Sequence, residues 1–187
     1  MKTNPTALRC ALVVSALSLC TTLSAETTTS STTTTDRRAT ATTTAEANLS
    51  RNDRNFFEHA AKSGMKEVDV SRSVLDRLTN PQVKEFAQMM VEHHSSANTE
   101  LASLAASKGV TLPVKETKIM EKWSKKTDEL DEDYMEEMVS DHEKSVKLFE
   151  EAAKSKDSQI AAFASKTLPK LQAHLTQART LEKLVDD

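Results

Sequence analysis

Four ionisable residues lie near the middle of otherwise apolar helical patterns in this chain: Glu67, His94, His142 and His174. Each belongs to a different predicted helix and lies on, or beside, the face whose apolar residues recur every three or four positions. A polar side chain on such a face needs a polar partner once the face is buried. At one level of a bundle, the three imidazoles and the carboxylate could bond to one another, hold a metal ion, or do both.

The helices that would position these residues come from the chain after residue 52, which is rich in helix formers. The whole chain contains two glycines, Gly64 and Gly109, and it has no alternating apolar run of strand length. Ile119 and Trp123 favour a short extra helix between the second and third long helices. We predict an all-α domain that forms an antiparallel four-helix bundle. Its long helices cover about residues 53–78, 80–109, 131–156 and 157–185.

Local signals mark several helix ends. Asn80 followed by Pro81 is typical of a cap and a first helical turn, and Gly109 is typical of the residue that ends a helix. Asp157 opens the fourth helix in the same way as Asn80 opens the second. Pro169 lies inside the fourth helix, where it predicts a kink or the loss of one hydrogen bond.

The hairpin turns near residue 79 and near residues 156–157 set the height of each ionisable residue. In an up-and-down bundle both turns would lie at the same end. The four residues lie 12 to 17 positions from those turns. At ~1.5 Å of rise per residue they would fall within roughly 8 Å along the bundle axis. We therefore predict that Glu67, His94, His142 and His174 converge.

Other polar residues are weaker candidates. His93 points about 100° away from His94 on a helix, so we interpret it as a solvated residue at the rim or as a support for a ligand. His59 is expected to be exposed, and Asp141 and Glu92 could support a ligand or simply be charged residues on a helix flank. Three methionines could bind copper but are interpreted as core residues: Met65, Met90 and Met138.

The N-terminal part of the chain differs from the rest. Residues 1–25 have the pattern of a secretory signal peptide, with Lys2 and Arg9 ahead of a short apolar run. Residues 26–51 form a Thr/Ser-rich tract, with 11 threonines among residues 26–50. Such a tract cannot bury a core, so it predicts a disordered linker to the bundle at residues 52–187.

The composition excludes several classes of function. Both cysteines lie in the predicted signal, so a metal site in the mature chain must use His, Asp, Glu or Met. Without Lys2 and Arg9 of the signal, 23 basic residues stand against 28 acidic ones, and their mixing along the helices predicts no nucleic-acid partner. No later segment has the apolar length of a transmembrane helix. We expect a protein exported to the periplasm or cell envelope, with another envelope protein as a candidate partner and the oligomeric state left open.

Three segments carry a resemblance to a known family: Phe86–His94 (FAQMMVEHH), Tyr134–His142 (YMEEMVSDH) and Leu168–His174 (LPKLQAH). Together with Gly64 and Glu67 they resemble the bacterial exported family named domain of unknown function 4142, over about residues 52–185. Members of that family are grouped with ferritin-like folds and labelled as outer-membrane or periplasmic proteins. The resemblance implies a ferritin-like four-helix bundle in an exported protein, and it implies no activity.

Ferritin di-iron sites use a Glu-x-x-His motif on each of two helices, and this chain departs from that pattern. The residues three positions before the histidines are Val91, Val139 and Leu171. Because the bridging carboxylates are missing, we do not expect a di-iron ferroxidase centre. Three histidines and one carboxylate better suit a single Zn, Fe or Cu ion.

Three functions remain open on the sequence. The first is a bundle that binds or buffers a metal ion, with His94, His142 and His174 as ligands and Glu67 either as a ligand or as the residue that orients one. The second is a non-catalytic envelope protein, structural or interacting, in which the same residues form a metal-free polar network. The third is an enzyme with one metal ion, which no nucleophile–base pair, phosphate loop or Gly-rich element in the sequence supports.

Overall fold

The structure is a computed structural model that describes residues 49–113 and 117–186, and of residues 117–120 it describes the backbone alone. Four long helices and one short helix pack together in this part of the chain. They confirm the predicted all-α, ferritin-like four-helix bundle with a short extra helix. The predicted signal peptide and most of the predicted linker lie outside the described residues. The helices are α1 (Arg51–Val74), α2 (Pro81–Ser107), α3 (Thr117–Lys125), α4 (Leu130–Ala152) and α5 (Ser158–Val185).

Side-chain caps begin three of the long helices. Ser50 accepts a hydrogen bond from the backbone N–H of Asp53 and so caps α1. Asn80 and Asp157 cap α2 and α5 in the same way, as the sequence predicts. Each cap satisfies backbone donors that have no partner inside the helix, which typically contributes about 1 kcal/mol. Gly109, just past the end of α2, has a φ of 72°, a conformation that glycine adopts without strain.

Two helices, α1 and α4, end one turn earlier than the apolar pattern predicts. The chain leaves α1 after Val74, yet Leu78 in the following turn is still buried in the core. The apolar spacing therefore continues past the end of the helix itself. At the start of α1, Leu49 is buried and Ser50 caps the helix. The bundle therefore includes residues that the sequence places in the linker. α5 continues through Pro169 without a break.

The two hairpin turns lie at opposite ends of the bundle. Asp131, at the start of α4, accepts hydrogen bonds from the backbone N–H groups of Thr79 and Asn80 in the α1–α2 turn. At the other end, Ser155 in the α4–α5 turn donates a 2.6 Å hydrogen bond to Asp53 at the start of α1. The connection from α2 to α4 therefore runs the length of the bundle. The prediction that both turns share one end was wrong, because it assumed an up-and-down bundle in which the α2–α4 connection stays at one end.

The short helix α3 is held against the end of α1. Arg77 donates hydrogen bonds of 2.6 Å to the carbonyl of Trp123 and 2.5 Å to that of Lys126. The Trp123 side chain is buried, and its ring meets that of Tyr134 edge-on at 6.4 Å. These contacts fix the returning connection beside the α1–α2 turn and so set where α4 begins.

A layer of polar side chains separates the hydrophobic core into two clusters. One cluster lies toward the α1–α2 turn and includes Phe86 and Tyr134. The other lies toward the start of α1 and includes Phe56 and Phe149, whose rings meet edge-on at 5.1 Å. Each buried aromatic side chain stabilises its cluster by roughly 2–3 kcal/mol. The two clusters hold the four helices in register on both sides of the polar layer.

Gly64 allows α1 and α2 to approach closely, and this can be tested by a double-mutant cycle. A Cβ atom at position 64 would lie 2.1 Å from Oδ1 of Asn98 on α2. Gly64→Ala therefore has to displace the Asn98 side chain, and we expect it to lower the free energy of unfolding by about 1 kcal/mol. In an Asn98→Ala background the clash is gone, so the same change should stabilise α1 by up to about 1 kcal/mol.

Urea unfolding of the four proteins measures this coupling. The same effect of Gly64→Ala in both backgrounds would show that Asn98 is not what requires a glycine at position 64.

Candidate metal centre

The bundle brings the four predicted residues together in the layer between the two hydrophobic clusters. Glu67 comes from α1, His94 from α2, His142 from α4 and His174 from α5. Glu67 and His142 are fully buried, and His174 and His94 are 4% and 6% exposed. Each residue lies near the middle of its helix, so its height is similar whichever end it is measured from. The predicted convergence is therefore observed although the assumed position of the turns was wrong.

Short distances join these side chains into one group, here called the His–Glu cluster. Oε2 of Glu67 lies 2.8 Å from Nε2 of His94 and 3.4 Å from Nε2 of His142. Nε2 of His142 lies 3.4 Å from Nδ1 of His174. One ring nitrogen from each of the three histidines falls within 4.8 Å of the other two. The four side chains thus surround one small volume.

A backbone carbonyl sets the tautomer of His142. Its Nδ1 lies 2.8 Å from the carbonyl oxygen of Met138, one turn earlier in α4. A carbonyl can only accept, so Nδ1 of His142 carries the proton and donates it. In the neutral ring Nε2 then has a free lone pair, and that lone pair faces the other members of the cluster. A fixed tautomer of this kind is what a histidine needs to bind a metal ion.

The carboxylate of Glu67 lacks well-formed hydrogen bonds. Among the described residues neither of its oxygens has a partner in hydrogen-bond geometry, and Nε2 of His94 also lacks one. The 2.8 Å approach of these two residues is therefore short but poorly aligned. An ionised carboxylate held this way, away from water, costs several kcal/mol unless a positive charge compensates it. Either a protonated histidine or a metal cation can supply that charge.

The pKa values show which charge is present without a metal ion. Burial alone would raise the pKa of Glu67, but the nearby charges of His94 and His142 outweigh burial and lower it to about 2. Burial alone would lower the pKa of His94, and Glu67 overcomes this and raises it above 6.5. Burial, and after it the charges of His94 and His142, lower the pKa of His174 to about 3. In mildly acidic solution Glu67 and His94 thus form an ion pair beside a neutral His174.

His93 belongs to the site more closely than the sequence predicts. Its Nδ1 lies 2.8 Å from Nε2 of His174, and the two rings stack with centroids 5.1 Å apart. The 100° offset from His94 does direct His93 toward the rim, as predicted, but α5 packs against that rim. The signal for this contact in the sequence was the adjacent pair His93 and His94 on one helix. Because Nε2 of His174 faces His93, Nδ1 of His174 faces the His–Glu cluster.

The remaining candidates lie outside the cluster. Asp141 is buried but bonds to Lys66 of α1 at 2.5 Å rather than to a histidine. Glu92 and His59 are exposed. The methionines named as alternative ligands belong to the hydrophobic clusters or pack against them, as predicted. Glu67 is therefore the carboxylate that the described part of the chain brings to the three histidines.

Comparison with known proteins agrees with this architecture. The family described as Domain of unknown function (DUF4142) matches residues 38–181. The chain belongs to this family. Its fold is similar to the crystal structure of a DUF305 fragment from Deinococcus radiodurans, with a TM-score of 0.60 and 11% sequence identity over 73% of this chain and 97% of that one. At that identity the likeness shows the fold alone. No curated protein matches the chain in sequence.

The family match confirms the resemblance drawn from the three histidine-ending segments, and it assigns no activity to the DUF4142 bundle. Within residues 49–113 and 117–186, no helix combines the length and apolar character needed to cross a bilayer.

The Glu67–His94 ion pair predicts a stability maximum in mildly acidic solution. The pKa of Glu67 is lowered from 4.5 to about 2, so its contribution is complete above pH 4.5 and is lost as the pH falls toward 2. The pKa of His94 is raised above 6.5, so its contribution is complete below pH 6.5 and is lost as the pH rises through the folded value. We expect Glu67→Gln to destabilise the metal-free protein most between pH 4.5 and 6.5, by on the order of 3 kcal/mol.

Urea unfolding of both proteins at about pH 3, 5.5 and 8.5 measures this difference. Glu92→Gln removes the same charge from the exposed surface beside His93 and is the matched control. An effect of Glu67→Gln that is the same at all three pH values would contradict the ion pair.

Proposed function

We propose that the DUF4142 bundle binds one transition-metal ion through His94, His142 and His174, with Glu67 as the fourth ligand. The observation that carries the proposal is the arrangement of the donors. Three imidazole nitrogens lie within 4.8 Å of one another, in a buried layer beside a carboxylate that lacks aligned hydrogen bonds. A cation at this point would compensate Glu67 and use lone pairs that the protein already directs inward.

The distances suit a tetrahedral ion. Two ligand atoms about 2.0–2.1 Å from such an ion lie about 3.3–3.4 Å from each other. His142 and His174 have this spacing at 3.4 Å, and so do Glu67 and His142. The 2.8 Å contact between Glu67 and His94 has to lengthen, and the whole set has to adjust by about an ångström. Side-chain rotation is enough for an adjustment of that size.

The donor set favours a single ion of borderline softness. Imidazole and carboxylate ligands suit Zn(II), Fe(II) and Cu(II), and this site offers no thiolate that would select Cu(I). A second ion would require further carboxylates, and Asp141, the buried acidic residue of α4, bonds to Lys66 instead. The positions where a di-iron protein has its bridging carboxylates hold Val91, Val139 and Leu171. These features support a mononuclear site.

A metal-free polar network is the second candidate, and one observation favours it. With Nδ1 of His142 donating to Met138, a one-way chain of hydrogen bonds can run from His93 through His174 to His142. In that state His174 carries its proton on Nδ1. Metal binding requires the opposite tautomer, in which Nε2–H of His174 donates to His93 and Nδ1 binds the ion. The two functions therefore differ in the tautomers of two residues, because Nδ1 of His93 donates to His174 in the polar network and accepts from it in the metal site.

Metal content tests the first function directly. We expect the protein, after incubation with Zn(II) and removal of excess, to retain about one ion per chain. His142→Ala should lose the ion, because it removes the ligand with the fixed tautomer. At a free zinc concentration 100-fold above the dissociation constant, binding should stabilise the folded protein by about 2.7 kcal/mol. Elemental analysis and thermal unfolding measure these two effects.

His59→Ala is the matched control, because His59 is an exposed histidine on α1 outside the cluster. Equal metal content in wild type and His142→Ala would sink the proposed site. If the wild type binds no ion and nitrogen NMR finds the His174 proton on Nδ1, the polar network is the function of the cluster.

We also propose that the protein is exported to the periplasm or cell envelope. The charged start and apolar run of residues 1–25, followed by the Thr-rich tract at 26–51, support this. An envelope protein is the partner class that fits such a tethered domain. We expect the mature protein to begin at Ala25 or Glu26 and to leave the cytoplasm, and Val14→Arg in the apolar run to prevent both. Cell fractionation and intact-mass measurement check this, and an unprocessed cytoplasmic wild type would contradict it.

A further inference from the structure

A small cavity adjoins the His–Glu cluster on one side. Its volume is about 30 Å³, and its wall includes the rings of His94 and His174 but not Glu67 or His142. The cavity therefore meets the cluster between two of the three proposed ligands. Most of the remaining wall is apolar, with Leu101 and Phe149 among the residues that form it.

The size of the cavity limits what it can hold. One water molecule needs about 10–15 Å³ of such space, so the cavity holds roughly two waters or a ligand of two to three heavy atoms. Gly64 and Ala97 contribute to the wall, and their small size leaves this space open. A larger side chain at position 97 would occupy it.

The mouth of the cavity carries one cationic side chain. Lys170, which is exposed, lines it together with the half-buried His93. An ammonium group beside a small apolar space favours an anion over a cation as the entering species.

We propose that an ion bound by His94, His142 and His174 keeps one coordination position toward this cavity, and that a small anion of two to three atoms binds there. The inference rests on the proposed metal site and adds to it a ligand class and an entry route. Tetrahedral sites sometimes expand to five ligands, and the cavity provides the space for the fifth. The apolar wall excludes bulk water around the ligand, and the Lys170 charge attracts it to the mouth.

Azide and the cobalt-loaded full chain provide the test. Co(II) replaces the colourless Zn(II) and reports its coordination through its visible spectrum. We expect azide to shift that spectrum with saturation at one azide per ion. Imidazole, which binds the same metals but has five ring atoms, should leave the spectrum unchanged because it does not fit the cavity.

Ala97→Leu tests the route. The added carbon atoms would fill the cavity, so azide affinity should fall roughly tenfold or more while cobalt content stays at one ion per chain. Ala102→Leu makes the same change on an exposed position of α2 and should have no effect. Unchanged azide affinity in Ala97→Leu would show that the anion does not enter through this cavity.

Lys170→Gln tests the charge at the mouth. We expect azide affinity to fall about two- to threefold, and the difference from wild type to shrink as salt is added. Lys183→Gln removes the same charge from α5, about 20 Å further along the helix, and is the control.

The possible failures are distinguishable. A protein that binds no cobalt would overturn the metal site and this inference together. Stoichiometric cobalt with a spectrum that azide leaves unchanged would overturn only the inference, and so would tight binding of imidazole. The size comparison between azide and imidazole uses the wild-type chain, so it decides the matter even if Ala97→Leu fails to fold.

Discussion

The structure depends on how one buried carboxylate is compensated. Glu67 lies fully inside the bundle, with hydrophobic clusters above and below it. An ionised group in that position is strongly unfavourable unless positive charge comes to it from the other helices. His94, His142 and His174 supply imidazoles from three separate helices, and all three must be correctly placed at once. Compensation of the carboxylate therefore requires that all four helices have the correct rotation and height at the same time.

The rest of the fold meets this requirement through ordinary helix chemistry. Caps at Ser50, Asn80 and Asp157 set where three helices begin, and so set the height of the residue that each contributes. Aromatic side chains on both sides of the polar layer fix the distances between helices. Lys66 pairs with Asp141, and Glu67 is the carboxylate that lies against the histidines.

The sequence predicted the convergence of the four residues because helical periodicity determines which face a side chain occupies. It failed on topology, since the length of the α2–α4 connection does not reveal that it crosses the whole bundle. That error did not affect the site because mid-helix residues are nearly equidistant from both ends. The contact of His93 with His174 was missed because periodicity gives an angle on one helix but not the position of the neighbouring helix. The Asp141–Lys66 pair was missed for the same reason.

The site is divided between two helical hairpins of the chain. The α1–α2 hairpin carries Glu67 and His94, and the α4–α5 hairpin carries His142 and His174. Neither hairpin holds more than two donor residues, so a bound ion would link the two hairpins to each other. The two halves would then behave as complementing fragments, whose reassociation depends on the concentration of free ion. Occupation of the centre would then strengthen the association of the two halves.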